Sequence, residues 1–282
     1  VIADGVIMRH ADDRFIATVS SDHADHLFAH FQYWRDRRWS DHRVVMTDVT
    51  EAWAAIAVAG PNSREKLSGL LGEPSINALA HMTFFETQHR GSTLRVLRAS
   101  YSGELAYELH CQPDAALSLC QLLADSGLKP DGLEALDVLR TEKGYLGGSE
   151  MNGQTTPDDL GLSTHLQANN QCIGSALLNR AAFHAPERPA LIGIRATDGR
   201  SRFLAGAQIT SADQRTRSAG HVTSAVFSPA LSQWVGLALI DRNVVRSGVP
   251  LLAMDPLRQL ETAIVTTATT HFDPTGERMK SS

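Results

Sequence analysis

The segment from Tyr101 to Leu109, Tyr-Ser-Gly-Glu-Leu-Ala-Tyr-Glu-Leu, contains the residues best suited to recognise a ligand. Ser102 and Gly103 predict a turn that presents Glu104, and the alternating apolar residues after it predict a strand. A carboxylate fixed where a strand begins can accept hydrogen bonds from two adjacent N–H donors. The 2-amino-4-oxo ring of a pterin has such an edge. The alternative is a hairpin with a solvated glutamate.

A second carboxylate, Asp4, lies in Ala-Asp-Gly-Val-Ile, which we interpret as an apolar strand. A buried aspartate without a partner costs free energy, so this one would need a partner or a function. The alternative is an aspartate in a turn or bulge beside Gly5. Tyr101 and Tyr107 could line a cleft for a ring, but aromatic residues at strand spacing more often belong to a core.

Two other clusters favour structural interpretations. His23, His26 and His30 share one face of a predicted helix. Three ligands from a single helix seldom converge on one metal ion, so we favour a solvated face. Arg140 and Glu142 lie near the end of another predicted helix, where we favour structural ion pairing. The sequence therefore predicts no metal site.

Composition limits the class of protein. The chain has 282 residues, 43% of them hydrophobic and 20% charged, with a net charge of −5. The acidic balance argues against a general nucleic-acid binder. The three cysteines form no CxxC pair, which predicts reduced thiols in a cytoplasmic protein. No apolar run approaches the roughly 18 residues of a membrane span, and we find no secretory signal.

Several common catalytic motifs are absent from the sequence. The chain has no GxGxxG, P-loop, HExxH or GxSxG motif, so it encodes no dinucleotide site of the usual kind. It begins at Val1 without an initiator Met, which predicts a part of a longer polypeptide or a processed product.

The elements that must position these residues form two regions. Strand pairs interleaved with helices predict an α+β region over 1–184, and recurring strands without helical patterns predict a small β-barrel or sandwich over 185–282. A hairpin is predicted within 1–20, with its turn at residues 11–13. The other predicted strands of the first region are 44–47, 53–58, 82–87 and 93–98, and its predicted helices are 22–35, 63–71, 114–123 and 132–143. The predicted strands of the second region are 191–194, 207–210, 221–226, 235–240, 249–253 and 260–266.

Read together, several segments resemble a known family. They are residues 1–7, 101–108, 135–145 and 220–231, in that family's order. This order resembles the aminomethyltransferase (glycine-cleavage T-protein) family, which binds tetrahydrofolate. Thr156 to Leu162 and the tail from His271 to Arg278 look more narrowly like the C-terminal folate-binding part of the alpha subunit of heterotetrameric sarcosine oxidase.

The resemblance implies a fold and a site. It implies T-protein-like α+β domains, N-terminally incomplete here, and a C-terminal β-barrel. Asp4 matches the family's catalytic aspartate, Glu104 matches the glutamate that holds the pterin, and Tyr101 opens the same motif. Leu136 replaces an arginine that helps to bind the folate tail in glycine-cleavage members, so the tail-binding residues stay unassigned.

The resemblance also implies a reaction. An N-methyl amine such as sarcosine is oxidised to an imine, whose methylene group is captured as 5,10-methylenetetrahydrofolate. Asp4 would stabilise the developing positive charge. NAD and flavin are expected only in regions outside this chain or in partner oxidase subunits. The alternatives are a non-catalytic folate-binding or subunit-scaffold module and a stand-alone glycine-cleavage aminomethyltransferase.

Overall fold

The computed structural model describes residues 1–166 and 172–280, which divide into two compact units. The first unit comprises Ile2–Asp131 and, at the end of the described residues, 277–280. The second comprises Val1 and Gly132–Gly276. The domain boundary expected between residues 184 and 185 stays a prediction, because compactness does not by itself define an independently folding domain.

The first unit contains a hairpin and a four-stranded sheet. The hairpin pairs β1 with β2, and the antiparallel sheet has the order β3-β6-β5-β4. The strands are β1 (Gly5–Ala11), β2 (Arg14–Val19), β3 (Ala54–Ala59), β4 (Phe84–His89), β5 (Ser92–Leu97) and β6 (Ala106–Cys111). The helices are α1 (Ala24–Arg38), α2 (Ser63–Leu71), α3 (Ser75–Ala78) and α4 (Pro113–Asp125).

One face of the four-stranded sheet carries the core of this unit. Side chains alternate between the two faces of a strand, so every second residue of β5 and β6 can be buried together. The buried cluster joins these strand residues to α2, α3 and α4, and includes Leu67, Ile76, Leu94, Val96, Leu105, Tyr107, Leu109, Leu119 and Leu123. The sheet that leads to and from Glu104 is therefore anchored by close packing.

Most elements predicted for the first unit are confirmed. The hairpin turns at Asp12 and Asp13, α2 has the predicted bounds, and β4 pairs with β5 around Gly91. The strand predicted over 44–47 is wrong, since this stretch has no regular structure and Val45 is 92% exposed. A short β-branched run without a partner strand gains neither ladder hydrogen bonds nor burial.

The second unit is built around a closed barrel. The six strands have the order β10-β7-β12-β11-β8-β9 and are antiparallel. The strands are β7 (Pro189–Ala196), β8 (Gln208–Ser211), β9 (Gln214–Ser228), β10 (Gln233–Asp241), β11 (Leu251–Asp255) and β12 (Leu260–Thr267), and the helices are α5 (Leu133–Lys143), α6 (Ser175–Leu178) and α7 (Arg242–Ser247). The α+β fold class followed by a small barrel is confirmed, and closure distinguishes the barrel from the predicted alternative of a sandwich.

One prediction for the barrel is wrong. A short helix, α7, interrupts the expected run of strands. The side chain of Asp241 accepts a hydrogen bond from the backbone N–H of Asn243 at the start of this helix, and Gly248 ends it with φ 67°. Both are ordinary helix-end signals. The strand prediction overlooked them because the helix has only six residues.

The described residues contain no helix long and apolar enough to cross a membrane. All three cysteines are free thiols, with Cys111 buried and Cys120 and Cys172 exposed.

Candidate functional site

The turn between β5 and β6 places Glu104 as the sequence predicts, two residues before β6 begins. Ser102 and Gly103 are buried in this turn, and Gly103 has φ 74°, a left-handed conformation that favours glycine. The hydroxyl of Ser100 donates to the carbonyl oxygen of Glu104 at 2.6 Å, and the N–H of Glu104 donates to Ser102 Oγ at 3.3 Å. Both polar backbone groups of Glu104 are therefore held.

The carboxylate of Glu104 is shielded and ion-paired. Its side chain is 13% exposed, and Oε1 accepts a hydrogen bond from Arg278 Nη1 at 2.6 Å. Arg278 lies in a short 3-10 turn, Glu277–Met279, within the same compact unit. Arg98 holds this turn, because it donates to the carbonyl oxygens of Met279 at 3.0 Å and Leu79 at 2.9 Å.

The two tyrosines of the motif have different environments. Tyr107 is fully buried, and its hydroxyl accepts a hydrogen bond from Arg64 Nε at 2.9 Å. Tyr107 is therefore a core residue, which is the interpretation we favoured for both tyrosines. Tyr101 departs from that expectation, since it is 41% exposed at the start of the turn that carries Glu104. Tyr101 is therefore not a core residue.

The interpretation of Asp4 as a residue within an apolar strand is wrong. The strand begins at Gly5 rather than enclosing Asp4, and Asp4 is exposed. The argument from the cost of burying a carboxylate therefore does not apply. The following residue must be small, since a Cβ on Gly5 would clash with the carbonyl oxygen of Thr18 on the paired strand. The structure places Asp4 in the same compact unit as Tyr101 and Glu104.

The predicted polar cluster of α5 is structural, and it lies in the second unit. Arg140 is 8% exposed, pairs with Asp137 at 2.5 Å and lies 3.6 Å from the fully buried Glu150. Glu142 accepts a hydrogen bond from Ser228 Oγ at 2.5 Å. Gly144 ends the helix at φ 78°, confirming the predicted C-cap glycine.

The other candidates for a site in the described residues are a metal cluster and a cavity that contains a thiol. Among residues 1–166 and 172–280, no group of His, Cys, Asp and Glu side chains could hold a metal ion. A cavity of about 200 Å³ in the first unit is lined by residues that include His89, Cys111 and Asp114. Burial raises the pKa of the Cys111 thiol and lowers the pKa of His89, so both groups favour their neutral forms.

Sequence reasoning missed Arg278 as a partner of Glu104. The two residues are 174 positions apart, and no local pattern pairs a turn glutamate with a distant arginine. The sequence signal for Arg278 was its position within the tail segment that resembles a known family. Ser100 was also missed, because its role depends on the path of the backbone.

Comparison with family models and known proteins gives consistent results. Residues 1–170 match the family model described as GCVT N-terminal domain, and residues 190–268 match the glycine cleavage T-protein C-terminal barrel domain. The sarcosine oxidase subunit alpha of Rhizobium meliloti is 32% identical over 98% of this chain and 29% of that protein. The aminomethyltransferase of Rubrobacter xylanophilus is 32% identical over 84% of this chain and 62% of that protein.

A solved structure shows the same fold. The crystal structure of glycine cleavage system aminomethyltransferase T from Bartonella henselae matches 97% of this chain and 73% of that chain, with a TM-score of 0.81 and 23% sequence identity. At this identity the likeness concerns the fold alone. The chain spans about three tenths of the length of the sarcosine oxidase alpha subunits it matches and about six tenths of the Rubrobacter protein.

Proposed function

The chain belongs to the glycine cleavage T-protein (aminomethyltransferase) family, and we propose that it binds tetrahydrofolate and transfers a one-carbon unit to it. The observation that carries this proposal is the Glu104 carboxylate, which is shielded from solvent and fixed through both polar groups of its own backbone. Tetrahydrofolate would supply the nucleophilic nitrogen that accepts the carbon. The protein residues would bind the pterin, orient it and stabilise charge.

Glu104 has the chemistry to hold a pterin. The 2-amino-4-oxo ring presents two adjacent N–H donors, and an ionised carboxylate offers two acceptor oxygens in the same plane. Because the side chain is only 13% exposed, it has already lost most of its hydration on folding and loses little more when a ligand binds. We propose that Tyr101, half exposed at the start of this turn, contacts the face of the ring.

We assign Asp4 the catalytic role that the resemblance implies. Its carboxylate would stabilise positive charge that develops on the reacting amine and position that amine. Asp4 is exposed directly before the hairpin, so its carboxylate is accessible from solvent. The backbone directly after Asp4 is held in the hairpin, because Gly5 pairs with Val19 of β2.

The one-carbon donor we propose is the imine formed by oxidation of an N-methyl amine such as sarcosine. A nitrogen of tetrahydrofolate attacks the imine carbon, the demethylated amine (glycine from sarcosine) leaves, and 5,10-methylenetetrahydrofolate is the product. The similarity to sarcosine oxidase alpha subunits over almost the whole chain supports this donor. In this setting the chain works with other oxidase subunits, which provide the flavin oxidation, and with an NAD-binding region outside the residues present here.

A stand-alone aminomethyltransferase is the second candidate, favoured by similarity to proteins of that name. It predicts transfer from an aminomethyl-lipoyl carrier protein. Leu136, which replaces the arginine expected in glycine-cleavage members, counts against it. Activity with the carrier protein but none with an N-methyl imine would select this candidate.

The test is the fate of the oxidised methyl group. An N-methyl amine oxidase would supply the imine, and methylenetetrahydrofolate and formaldehyde would be measured with and without the chain. We expect Asp4→Asn to lower chain-dependent methylenetetrahydrofolate formation by about 100-fold, the usual contribution of a positioned acid–base group, without changing amine consumption.

Asp13→Asn is the matched control, because Asp13 is an exposed carboxylate in the turn of the same hairpin. It should leave the product ratio unchanged. If the Asp4 variant forms product at the wild-type rate while tetrahydrofolate still binds, the chain is a folate-binding scaffold and the catalytic assignment is wrong.

A further inference from the structure

The two-stranded hairpin that follows Asp4 packs against the four-stranded sheet of the same compact unit. Met8 of β1 is 3% exposed and forms one buried cluster with Leu97 of β5 and with Ala99. A two-stranded hairpin is marginally stable by itself, so its position depends on such contacts. Apolar burial is non-directional and therefore defines that position less closely than a directional polar contact does.

His10 makes a polar contact from the hairpin to the sheet. The pairing of β1 with β2 shifts register between Arg9 and Ala11, and such an irregularity re-aims the side chain of the residue it contains, which is His10. Nδ1 of His10 lies 3.6 Å from Oε1 of Glu86 on β4. This nitrogen is buried and has no hydrogen bond to any described residue, so the carboxylate is the nearby group able to accept from it.

Glu86 is itself fixed by the sheet. Its Oε1 accepts hydrogen bonds from Nε of Arg95 at 3.0 Å and from Nη2 at 2.8 Å, and the two residues are paired across β4 and β5. Arg95 is 3% exposed, and its guanidinium carbon lies 4.3 Å from the centre of the Trp53 ring, directly before β3. A continuous set of contacts therefore joins the hairpin to the interior of the sheet.

We propose that His10 is a positioning residue for Asp4, because its contact with Glu86 fixes the hairpin on the sheet. This inference rests on the proposed function, since it takes Asp4 as the catalytic carboxylate. Glu104 follows β5, the strand that carries Arg95, so the same contacts fix the hairpin relative to the strand that leads to Glu104. A misplacement of about 1 Å at a catalytic group can lower a rate by about 100-fold.

The experiment separates the N–H group of His10 from its ring. His10→Phe keeps an aromatic ring beside Phe84, whose centre lies 6.2 Å from that of the His10 ring, and removes the donor. His10→Asn loses the ring but keeps an N–H donor at the δ position. Methylenetetrahydrofolate formation from the enzymatically supplied imine and anaerobic tetrahydrofolate binding would be measured for both variants, with circular dichroism to verify folding.

We expect His10→Phe to lower chain-dependent methylenetetrahydrofolate formation about tenfold and to change the dissociation constant of tetrahydrofolate by less than about twofold, because the Glu104 turn is untouched. His10→Asn should form product within about threefold of the wild-type rate, because a donor to Glu86 remains.

An Asn variant as slow as the Phe variant, or slower, would overturn the inference, because the ring rather than the N–H group would then hold the hairpin. His10→Asn also tests the inference by itself, since a tenfold loss there contradicts it even if the Phe variant does not fold. Wild-type rates in both variants, or a parallel loss of rate and tetrahydrofolate affinity in His10→Phe, would overturn it as well.

Arg9→Leu is the matched control. Arg9 precedes His10 in β1, its side chain is 63% exposed, and it pairs with Asp12 inside the hairpin at 2.6 Å. This variant should change neither the rate nor the dissociation constant. A wild-type chain that forms no methylenetetrahydrofolate would refute the proposed function and this inference together, whereas a reaction slowed by Asp4→Asn but not by His10→Phe would refute the inference alone.

Discussion

The two carboxylates of the proposed site, Glu104 and Asp4, belong to one compact unit but differ in burial and in how their backbone is held. Glu104 follows a buried sheet, its backbone is held by two serine hydroxyls, and its side chain is 13% exposed. Asp4 is exposed and precedes a two-stranded hairpin whose outer face is also exposed, with Ile7 at 70% and Phe15 at 57%.

This difference in burial suits Glu104 to ligand binding and Asp4 to catalysis. Recognition of a ring edge requires a carboxylate with fixed position and little remaining hydration, and Glu104 meets both conditions. An exposed carboxylate interacts weakly with a distant charge because water screens it, so Asp4 gains strength only when a bound ligand excludes water. The binding role therefore rests on geometry in the structure, and the catalytic role of Asp4 rests on the family resemblance.

The largest expected effect tests whether side-chain packing in the sheet beside Glu104 contributes more to stability than packing in the hairpin after Asp4. Tyr107→Ala should lower the free energy of unfolding by about 3–5 kcal/mol, because it empties a fully buried aromatic site. Ile7→Ala should change it by less than about 0.5 kcal/mol, because that side chain is already in solvent. Urea unfolding followed by circular dichroism would measure both.

Tyr107→Phe is the control for the first of these variants. It keeps the ring and removes only the hydroxyl that accepts from Arg64, so it should cost about 1 kcal/mol. Comparable losses for Tyr107→Ala and Ile7→Ala would contradict the contrast between the two regions.

A smaller effect tests the hydroxyl that holds the backbone of Glu104. Ser100→Ala removes the 2.6 Å hydrogen bond to the Glu104 carbonyl oxygen and should cost about 1 kcal/mol of stability. Tetrahydrofolate affinity should fall several-fold, because the turn that presents the carboxylate loosens. Ser100→Thr keeps the hydroxyl and should restore the affinity.

Ser118→Ala serves as the comparison for this prediction. Ser118 is an exposed serine on α4 whose hydroxyl also donates to a backbone carbonyl oxygen, at 2.9 Å. It should leave the tetrahydrofolate affinity unchanged. If Ser100→Ala behaves in the same way as Ser118→Ala, the backbone of Glu104 needs no such anchor.

Elements with strong local signals were predictable from sequence. Helix α2 has its predicted bounds because helical periodicity is followed by Gly72, which ends the helix at φ 63°. The barrel strands were found because apolar runs recur between turn residues. The predicted strand over 44–47 failed because β-branched composition alone cannot supply a pairing partner.

The candidate site was predictable in its local parts only. The turn at Ser102 and Gly103 and the strand after Glu104 follow from residue types within a few positions. The exposure of Asp4 depends on where the hairpin begins, and strand ends are set by pairing across the chain. The contact between Glu104 and Arg278 joins residues 174 positions apart, so only the folded structure reveals it.

The most direct test of the central claim is an anaerobic titration of tetrahydrofolate into the wild-type chain and into Glu104→Gln. The glutamine has the same shape but presents an N–H₂ donor where the pterin also has a donor. We predict saturable binding by the wild-type chain and about 100-fold weaker binding by the variant, with unchanged folding. Equal affinities would contradict the assignment of Glu104 as the pterin-binding carboxylate.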